Sequence, residues 1–462
     1  MSIVLEDTLK PEADEASTGP HRRWIERLGE RLLYRLLASL KEGQVTVDNG
    51  RELKMFGPES SDLTATVTVH SSKLYGRLVH EGALGAAESY LQGEWMADDL
   101  TKFLRIVVRG IDSTQQLSGP VSLLSRMWHR LRHALNHNSF RGSQRNIAAH
   151  YDLSNDFFRL FLDETLAYSS GLFYRDSDTL YDASVQKFDR ICRLLDLQPS
   201  DHLLEIGTGW GGFALHAATR YGCKVTTTTI SRQQYRVARQ RIKEAGLEHR
   251  VTLLLEDYRN LTGQYDKLAS IEMIEAVGHQ YMDAYFRRCS TLLKSEGLMA
   301  LQGIVIRDQH HEQYLKSVDF IQKYIFPGGC LPSVSAMSTS CTRASDFRML
   351  QLADFAPHYA QTLRLWRERF FAEIERVRAL GFDDRFIRMW EYYLCYCEAA
   401  FTERSCGLVQ MLLARPQARH DVNRDSSLLP PETSANDFSA ADRQTRDRTG
   451  SRPRSTPSMI ER

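Results

Sequence analysis

Residues 203–213, LLEIGTGWGGF, place four glycines within eleven residues, directly after a short apolar run. The apolar run predicts a buried strand, and the glycines predict a tight turn into a helix that begins near Gly212. Glycine lets a backbone approach a ligand closely because it has no Cβ atom, and a helix N-terminus favours anions. The spacing of Gly207, Gly209 and Gly212 nearly matches that of dinucleotide-binding turns. A tight turn that binds no ligand is the alternative.

Two features of this segment favour S-adenosylmethionine over a nicotinamide dinucleotide. Glu205 lies just before the turn, where its carboxylate can accept a hydrogen bond from a cationic amino group. The next predicted strand ends in residues 228–231, TTIS, which offer no acidic side chain for a ribose. A ligand with an amino-acid end and an adenosine end therefore fits the pattern better.

From residue 203 onward, predicted strands and helices alternate, which indicates a mostly parallel sheet with helices on both faces. The predicted strands are 203–206, 224–229, 251–255, 268–272 and 298–306, and the helices between them are 212–221 and 233–244. The last third reads as helix-rich, with helices at 363–379 and 384–403. The fold class predicted is α/β, with a Rossmann-like domain and a smaller N-terminal α+β domain.

The chain divides by composition into five segments. We predict a disordered N-terminus (1–20), a small α+β domain (21–120), a basic linker (121–150), the α/β domain (151–412) and a disordered tail (413–462). The small domain begins with an amphipathic helix at 24–40 and contains a hairpin whose turn is Asn49-Gly50. Residues 125–150 hold five arginines and no acidic residue. They predict either a solvated helix or a surface for anionic lipid headgroups.

Bulk properties exclude several classes of protein. The formal net charge is +1, so no overall field favours nucleic acid. No run approaches the roughly 20 apolar residues of a membrane-spanning helix, and the first residues lack the apolar core of a signal peptide, so we expect a cytoplasmic protein. The eight cysteines form no CxxC pair, and His310 and His311 have no third ligand at suitable spacing. No metal site is predicted.

Six stretches occur in an order that identifies a family. They are HYDLSNDFF (150–158), the glycine turn, TTISRQQ (228–234), EDYRNL (256–261), SIEMIEAVG (270–278) and KYIFPGGCLPS (323–333). Together they resemble the cyclopropane-fatty-acyl-phospholipid synthases, which are related to the mycolic-acid cyclopropane synthases. The resemblance covers roughly residues 40–412, and GALGAAESYLQGEW resembles the lipid-handling domain of the full-length bacterial enzymes.

The resemblance implies a class I, S-adenosylmethionine-dependent methyltransferase acting on cis double bonds of phospholipid acyl chains. It implies a set of cofactor contacts on the first half of the α/β domain: Tyr168, Ser169, Glu205, Gly207, Thr208, Gly209, Gly211, Thr229, Ser231, Gln234, Asp257 and Tyr258.

Methyl transfer to an alkene carbon leaves a carbocation, and a base must then remove a proton. The resemblance implies that a bound bicarbonate is this base. Its ligands fall on Glu275, Tyr359, the backbone of Ile304, and two positions where Ser170 and Gln302 replace the family's cysteine and histidine. Both replacements can form hydrogen bonds, so they either hold an anion or leave Glu275 to act directly. Cys397 matches a cysteine named among the family's catalytic candidates, and a packed core thiol is the alternative.

Four functions stay open at this point. The leading one is cyclopropane formation on unsaturated phospholipid at the inner face of the membrane, with the protein bound peripherally. The same methyl transfer can end in methylene- or methyl-branched chains, which the altered Ser170 and Gln302 positions favour. A non-catalytic lipid-binding protein and a small-molecule methyltransferase are the other two. The sequence also leaves a homodimer open.

Overall fold

The structure is a computed structural model, and it describes residues 20–113 and 154–420. The first of these ranges contains four helices: α1 (Pro20–Ala38), α2 (Lys73–Glu81), α3 (Ala83–Leu91) and α4 (Leu100–Ser113). It also contains four strands: β1 (Gln44–Asp48), β2 (Leu53–Phe56), β3 (Thr64–Val69) and β4 (Trp95–Ala97). The basic linker (121–150) and most of both predicted disordered ends lie outside the described residues, so the domain boundaries there stay predictions.

The four strands form one sheet in the order β2-β1-β3-β4. β1 and β2 pair antiparallel with Asp48 opposite Leu53, which confirms the hairpin predicted around Asn49-Gly50. Alternate residues of β1 and β3, such as Val45, Val47 and Val67, are buried against the helices. The N-terminal region is therefore an α+β unit, as predicted from its hairpin and its amphipathic helix.

The second range contains ten helices and seven strands. The helices are α5 (Asn155–Phe161), α6 (Leu180–Leu194), α7 (Gly212–His216), α8 (Arg232–Glu244), α9 (Met282–Leu292), α10 (Asp308–Tyr314), α11 (Val334–Ala344), α12 (Ala356–Ala372), α13 (Ile374–Ala379) and α14 (Asp384–Thr402). The strands are β5 (His202–Ile206), β6 (Lys224–Thr229), β7 (Val251–Leu255), β8 (Tyr265–Ile271), β9 (Leu293–Ile306), β10 (Arg348–Asp354) and β11 (Cys406–Ala414). Single π turns continue α7 at Ala217–Tyr221 and lie at Ile321–Ile325, and 3₁₀ turns follow β8 at Ile274–Ala276 and His279–Tyr281.

The seven strands form one sheet in the order β10-β11-β9-β8-β5-β6-β7. β9, β8, β5, β6 and β7 are parallel neighbours, which confirms the predicted Rossmann-like α/β fold. β5 lies between β6 and β8, so the strand order reverses direction there. Open sheets of this kind bind ligands at such a point, beyond the carboxyl ends of the strands.

The last third, predicted to be helix-rich, also contains two strands that were not predicted. β10 and β11 add antiparallel strands to the sheet, with β11 inserted between β10 and β9. Most of β11 is buried, from Leu408 to Ala414, and its sequence there is apolar except for Gln410 and shows no alternation. Such a run does not distinguish a strand from a buried helix by periodicity. β11 ends at Ala414, two residues into the segment predicted as tail.

The N-terminal region packs on α14, the long helix that also flanks the site. Tyr90 of α3 donates a hydrogen bond to the Glu391 carboxylate at 2.7 Å. Arg105 and Arg109 of α4 donate to the two oxygens of Glu403 at 2.6 and 2.7 Å. These buried and half-buried polar contacts fix the orientation of α14 relative to the smaller sheet.

Candidate functional site

The glycine turn, residues 207–212, lies at the carboxyl end of β5. Gly207, Gly209 and Gly211 have φ values of +101°, +54° and +88°, a region that side chains with a Cβ rarely adopt. The N–H groups of Gly207 and Thr208 donate to the Thr228 carbonyl at 3.1 and 3.0 Å, which ties the turn to β6. A Cβ atom at Gly209 would meet no other atom within 4 Å. The turn therefore has the predicted shape and leaves open space beside Gly209.

Glu205 is a buried carboxyl beneath the turn. Its Oε2 accepts a hydrogen bond from Thr227 Oγ1 at 2.5 Å, and Thr227 also bonds Thr208 Oγ1 at 2.6 Å. Burial raises the pKa of Glu205 to about 8, against the smaller opposing effects of Thr227 and Lys187. A cationic ligand group beside it would favour the ionised form. This arrangement suits the amino group of a bound amino acid.

The residues predicted for the adenosine end form two short polar clusters at the ends of β6 and β7. Ser231 caps α8 by accepting from the Gln234 N–H, and Thr229 Oγ1 donates to Gln234 Oε1 at 2.8 Å. Asp257 is buried and accepts two hydrogen bonds from the Arg259 guanidinium, at 2.8 and 2.6 Å, and one from the Arg259 backbone N–H at 3.0 Å. These bonds hold the strand ends in one shape.

Tyr258 and the loop at 168–169 flank these clusters. The Tyr258 ring lies 5.6 Å from that of Tyr285. The Tyr168 hydroxyl bonds the Tyr393 hydroxyl at 2.9 Å, and Ser169 accepts from the buried ammonium of Lys187 at 2.5 Å. Burial lowers the pKa of Lys187 to about 8, although nearby carboxylates, Glu272 first, oppose that shift. The predicted cofactor residues thus lie at the carboxyl ends of β5, β6 and β7 and in the loop at 168–169, and their direct contacts stay a prediction.

The residues predicted to hold a catalytic anion converge on Glu272, which the sequence analysis did not single out. The Ser170 N–H and the Gln302 side-chain amide donate to Glu272 Oε1 at 2.9 and 2.7 Å. The Tyr359 hydroxyl donates to Glu272 Oε2 at 2.7 Å. The Ser170 hydroxyl points elsewhere and donates to the Gly171 carbonyl at 2.9 Å. Three residues predicted as anion ligands therefore already donate to a carboxyl group of this chain, Ser170 through its backbone N–H.

Glu275, the predicted glutamate ligand, lies beside Glu272 with different partners. The Ile304 N–H donates to Glu275 Oε1. Its Oε2 is buried and has no hydrogen-bond partner among the residues that the structure describes. Burial, and next the neighbouring charge of Glu272, raise the pKa of Glu275 to about 8. Two close carboxyl groups do not both ionise readily, so Glu275 is the one that stays protonated near neutral pH.

Glu272 adjoins the glycine turn because of strand order. β8 pairs with β5 and places Ser270 beside Ile206, so Glu272 and Gly207 emerge at the same edge of the sheet. A Cβ atom on Gly207 would lie 3.0 Å from the Met273 side chain, which follows Glu272 directly. Glu272 itself has a φ of +48°. This backbone region costs a non-glycine residue roughly 1–3 kcal/mol and is characteristic of functional sites.

Aromatic rings pack around Tyr359, which donates to Glu272. The Tyr359 ring stacks on Phe401 with centroids 4.4 Å apart, and Trp366 lies edge-on at 6.2 Å. Trp366 also lies 5.3 Å from Tyr168, whose ring contacts Phe326 at 6.2 Å. Aromatic faces stabilise cations and exclude water.

Bicarbonate does not fit this site. Its predicted donors are engaged by Glu272, and Ile304 is engaged by Glu275. A second anion placed there would also lie against an ionised carboxylate in a poorly solvated space, which is unfavourable.

The remaining predicted catalytic residue lies on α14. Cys397 is half-buried in the aromatic core, and burial raises the pKa of its thiol, so it is a neutral packed side chain rather than a thiolate. His310 and His311 lie on α10. Within the described ranges, no group of three or more His, Cys, Asp or Glu side chains is placed to hold a metal ion. Across the same ranges, no helix is long and apolar enough to cross a membrane.

Comparisons with known proteins agree with the predicted fold class and family. The family model described as mycolic acid cyclopropane synthetase matches residues 138–411. The tuberculostearic acid methyltransferase UfaA1 of Mycobacterium tuberculosis is 40% identical over 351 residues, which cover 73% of this chain and 80% of that protein. The cyclopropane-fatty-acyl-phospholipid synthase of Escherichia coli strain K12 is 36% identical over 351 residues, covering 76% and 88%.

A solved structure gives the same picture. The mycolic acid cyclopropane synthase CmaA1, crystallised with SAH and CTAB, aligns with a TM-score of 0.55 and 33% sequence identity. The alignment covers 59% of this chain and 98% of that one.

Proposed function

Because this chain belongs to the mycolic acid cyclopropane synthetase family and is an S-adenosylmethionine-dependent methyltransferase, we propose that it methylates a cis double bond in an unsaturated phospholipid acyl chain, forming a cyclopropane fatty acid. The observation that carries the proposal is the aromatic, poorly solvated site that adjoins the glycine turn and contains a carboxylate with three donors. A cation formed from a hydrocarbon chain needs such surroundings, because water would otherwise capture it.

The residues of this chain have two roles, at two ends of the site: some would bind the cofactor, and others would stabilise the reacting carbons. When bound, S-adenosylmethionine supplies an activated methyl group on a sulfonium. Glu205, Gly207 and Gly209 would hold its amino-acid end, and Asp257 and Tyr258 would bracket the ribose and adenine. The rings of Tyr359 and Trp366 face the reacting carbons and stabilise the positive charge that develops there.

One specific observation favours a second product. UfaA1, at 40% identity, is named as a tuberculostearic acid methyltransferase, whereas the E. coli relative is named as a cyclopropane synthase. The site around Glu272 also departs from the arrangement that the family resemblance implies. If a hydride shifts to the cationic carbon before proton loss, the positive charge moves to the methylated carbon. Loss of a methyl proton then gives a methylene group instead of a ring.

The decisive assay uses S-adenosylmethionine with a trideuterated methyl group and vesicles of dioleoyl phosphatidylglycerol. Cyclopropane and methylene products are isomers that each retain two deuterium atoms, as a ring CD₂ or an alkenyl CD₂ group, so deuterium NMR of the recovered esters must distinguish them. Ring resonances support the first proposal, and alkenyl resonances support the second. Free oleate serves as the comparison substrate, and faster labelling of oleate than of phospholipid would contradict the phospholipid assignment. No labelled lipid at all would overturn both.

We also propose that the protein binds the membrane surface through α1. Its outward side carries Arg27, Arg31 and Arg35 at helical spacing, all exposed, with Trp24 62% exposed one turn before them. Arginines attract anionic headgroups, and tryptophan favours the membrane interface. Charge reversal at Arg27 and Arg31 should abolish sedimentation with phosphatidylglycerol vesicles. Reversal at the exposed Arg385 of α14 is the matched control, and equal loss in both variants would contradict this surface.

A further inference from the structure

We infer that Glu272 is the proton acceptor of the reaction, so that this enzyme carries its own base and works without bicarbonate. The inference rests on the proposed function, since it concerns the step that follows methyl transfer. It goes further in naming the atom that receives the proton and the residues that orient it.

The hydrogen bonds around Glu272 suit its ionised form. All three contacts come from donors: a backbone N–H, an amide NH₂ and a tyrosine hydroxyl. An ionised carboxylate accepts at every position, whereas a protonated one must donate from one oxygen. The carboxylate is therefore held with its oxygens ready to accept a proton from substrate.

A buried chain of side chains fixes the direction of the donor from Gln302. Arg190 can only donate, and its Nε bonds Gln410 Oε1 at 2.8 Å. This bond turns the Gln410 amide nitrogen toward Gln302 Oε1, also at 2.8 Å. The Gln302 amide nitrogen must then face Glu272 Oε1. Arg190, Gln302 and Gln410 are each 2–4% exposed, so no solvent competes for these bonds.

The electrostatics suit a base near neutral pH. Burial raises the pKa of Glu272 above its ordinary value, while the charge of Lys187 and the three donors oppose that shift. A carboxylate with a raised pKa takes a proton more readily than a surface glutamate does. The protonated neighbour Glu275 keeps negative charge concentrated on Glu272.

The step balances without a further reactant. The alkene π electrons form the new carbon–carbon bond to the methyl group, and the carbon–sulfur bond breaks with its electrons moving to sulfur. Glu272 then takes a proton from the methyl group, and the carbon–hydrogen electrons close the ring. If the hydride has first shifted to the cationic carbon, the same electrons form a methylene double bond instead. The proton passes to solvent once the product has left.

The first test needs no substitution. Turnover of the full-length protein on dioleoyl phosphatidylglycerol vesicles is measured in carbon-dioxide-free buffer, with and without added bicarbonate. We expect the two rates to agree within about twofold. A rate that collapses without bicarbonate and returns when it is added would overturn the inference while leaving the proposed function intact. Absence of product under both conditions would overturn the proposed function and this inference with it.

The second test is Glu272→Gln, which preserves shape but cannot accept the proton. We expect turnover to fall by roughly 100-fold or more, the range of a lost general base, while calorimetry shows that S-adenosylmethionine still binds. Glu391→Gln is the matched control, because Glu391 also accepts from a tyrosine at 2.7 Å but lies against the N-terminal region. Wild-type turnover in Glu272→Gln would refute the role of Glu272.

Arg190 and Gln410 are positioning residues, and a pH profile tests them. Arg190→Met frees both amides to rotate, so Glu272 loses a reliable donor and its pKa rises. The acid limb of the turnover profile should then move to higher pH, with turnover recovering within about threefold above it, and Arg190→Lys should restore part of the shift. A uniform loss of turnover at every pH would indicate a purely structural role instead.

Discussion

Tyr359→Phe tests how strongly the hydrogen bond from Tyr359 lowers the pKa of the Glu272 carboxyl group. The substitution removes one hydroxyl and keeps the ring that stacks on Phe401 at 4.4 Å. The lost bond joins Tyr359 Oη to Glu272 Oε2 at 2.7 Å. A hydrogen bond to a charged group contributes about 1.5–3 kcal/mol, and one pKa unit corresponds to about 1.4 kcal/mol. The pKa of Glu272 should therefore rise by about one to two units.

The direction of the effect on turnover follows from the protonation state in which Glu272 is active. Glu272 accepts a proton only when ionised, so turnover falls as pH drops through its pKa. Raising that pKa moves the acid limb of the profile upward by the same one to two units. Well above the new midpoint the carboxylate is ionised again, and turnover should approach that of the wild type.

The assay is the initial rate of lipid labelling across pH at saturating S-adenosylmethionine. Tyr90→Phe is the matched control, because its hydroxyl donates to the Glu391 carboxylate at the same 2.7 Å, away from the site. It should leave the acid midpoint in place. A Tyr359→Phe midpoint that is unchanged or lower would refute the reasoning, and so would an equal loss of rate at every pH.

Three further predictions concern binding and stability. Gly209→Val should weaken S-adenosylmethionine binding about tenfold or more by calorimetry, because a φ of +54° costs a side chain roughly 1–2 kcal/mol; unchanged affinity would contradict a tight glycine turn. The folded-state pKa of Glu275, about 8, exceeds its unfolded value, so its stabilising contribution is present at acid pH and is lost as pH rises toward 8. Glu275→Gln should remove about 1.4 kcal/mol per pH unit of that decline in urea unfolding between pH 5 and 8, and an unaltered slope would show that Glu275 is already ionised. Glu403→Ala should lower the free energy of unfolding by about 1–3 kcal/mol, since Arg105 and Arg109 lose their half-buried partner, and a change below 0.5 kcal/mol would contradict a structural role for this contact.

The local pattern of the sequence was enough to predict the strands that define the cofactor end. β6 and β7 have the predicted bounds, and the glycine turn follows β5 as expected. Each of these elements is specified by a short run of residues, because the apolar residues and glycines that determine it lie within a single turn or strand. β10 and β11 were missed because antiparallel pairing with a strand distant in the sequence leaves no local signature in either segment.

The arrangement of the residues around Glu272 depends on the order of the strands in the sheet. SIEMIEAVG contains two glutamates three residues apart, and the family resemblance drew attention only to the second. Two observations available only from the structure identify the first glutamate, Glu272. Its backbone is in the left-handed region, and its carboxyl oxygens accept hydrogen bonds from Ser170, Gln302 and Tyr359. The first of these donors lies about a hundred residues before Glu272 and the last almost ninety after it.

The sequence by itself therefore determined the fold class, the cofactor turn and most residue types at the site. Hydrophobic periodicity and the placement of glycines involve residues that are close together in the chain, so both can be recognised from the sequence alone. Which donor faces which acceptor was decided only by the tertiary structure. Hydrogen bonds depend on distance and direction between side chains that the sheet brings together, and a one-way donor such as Arg190 sets the orientation of groups two contacts away.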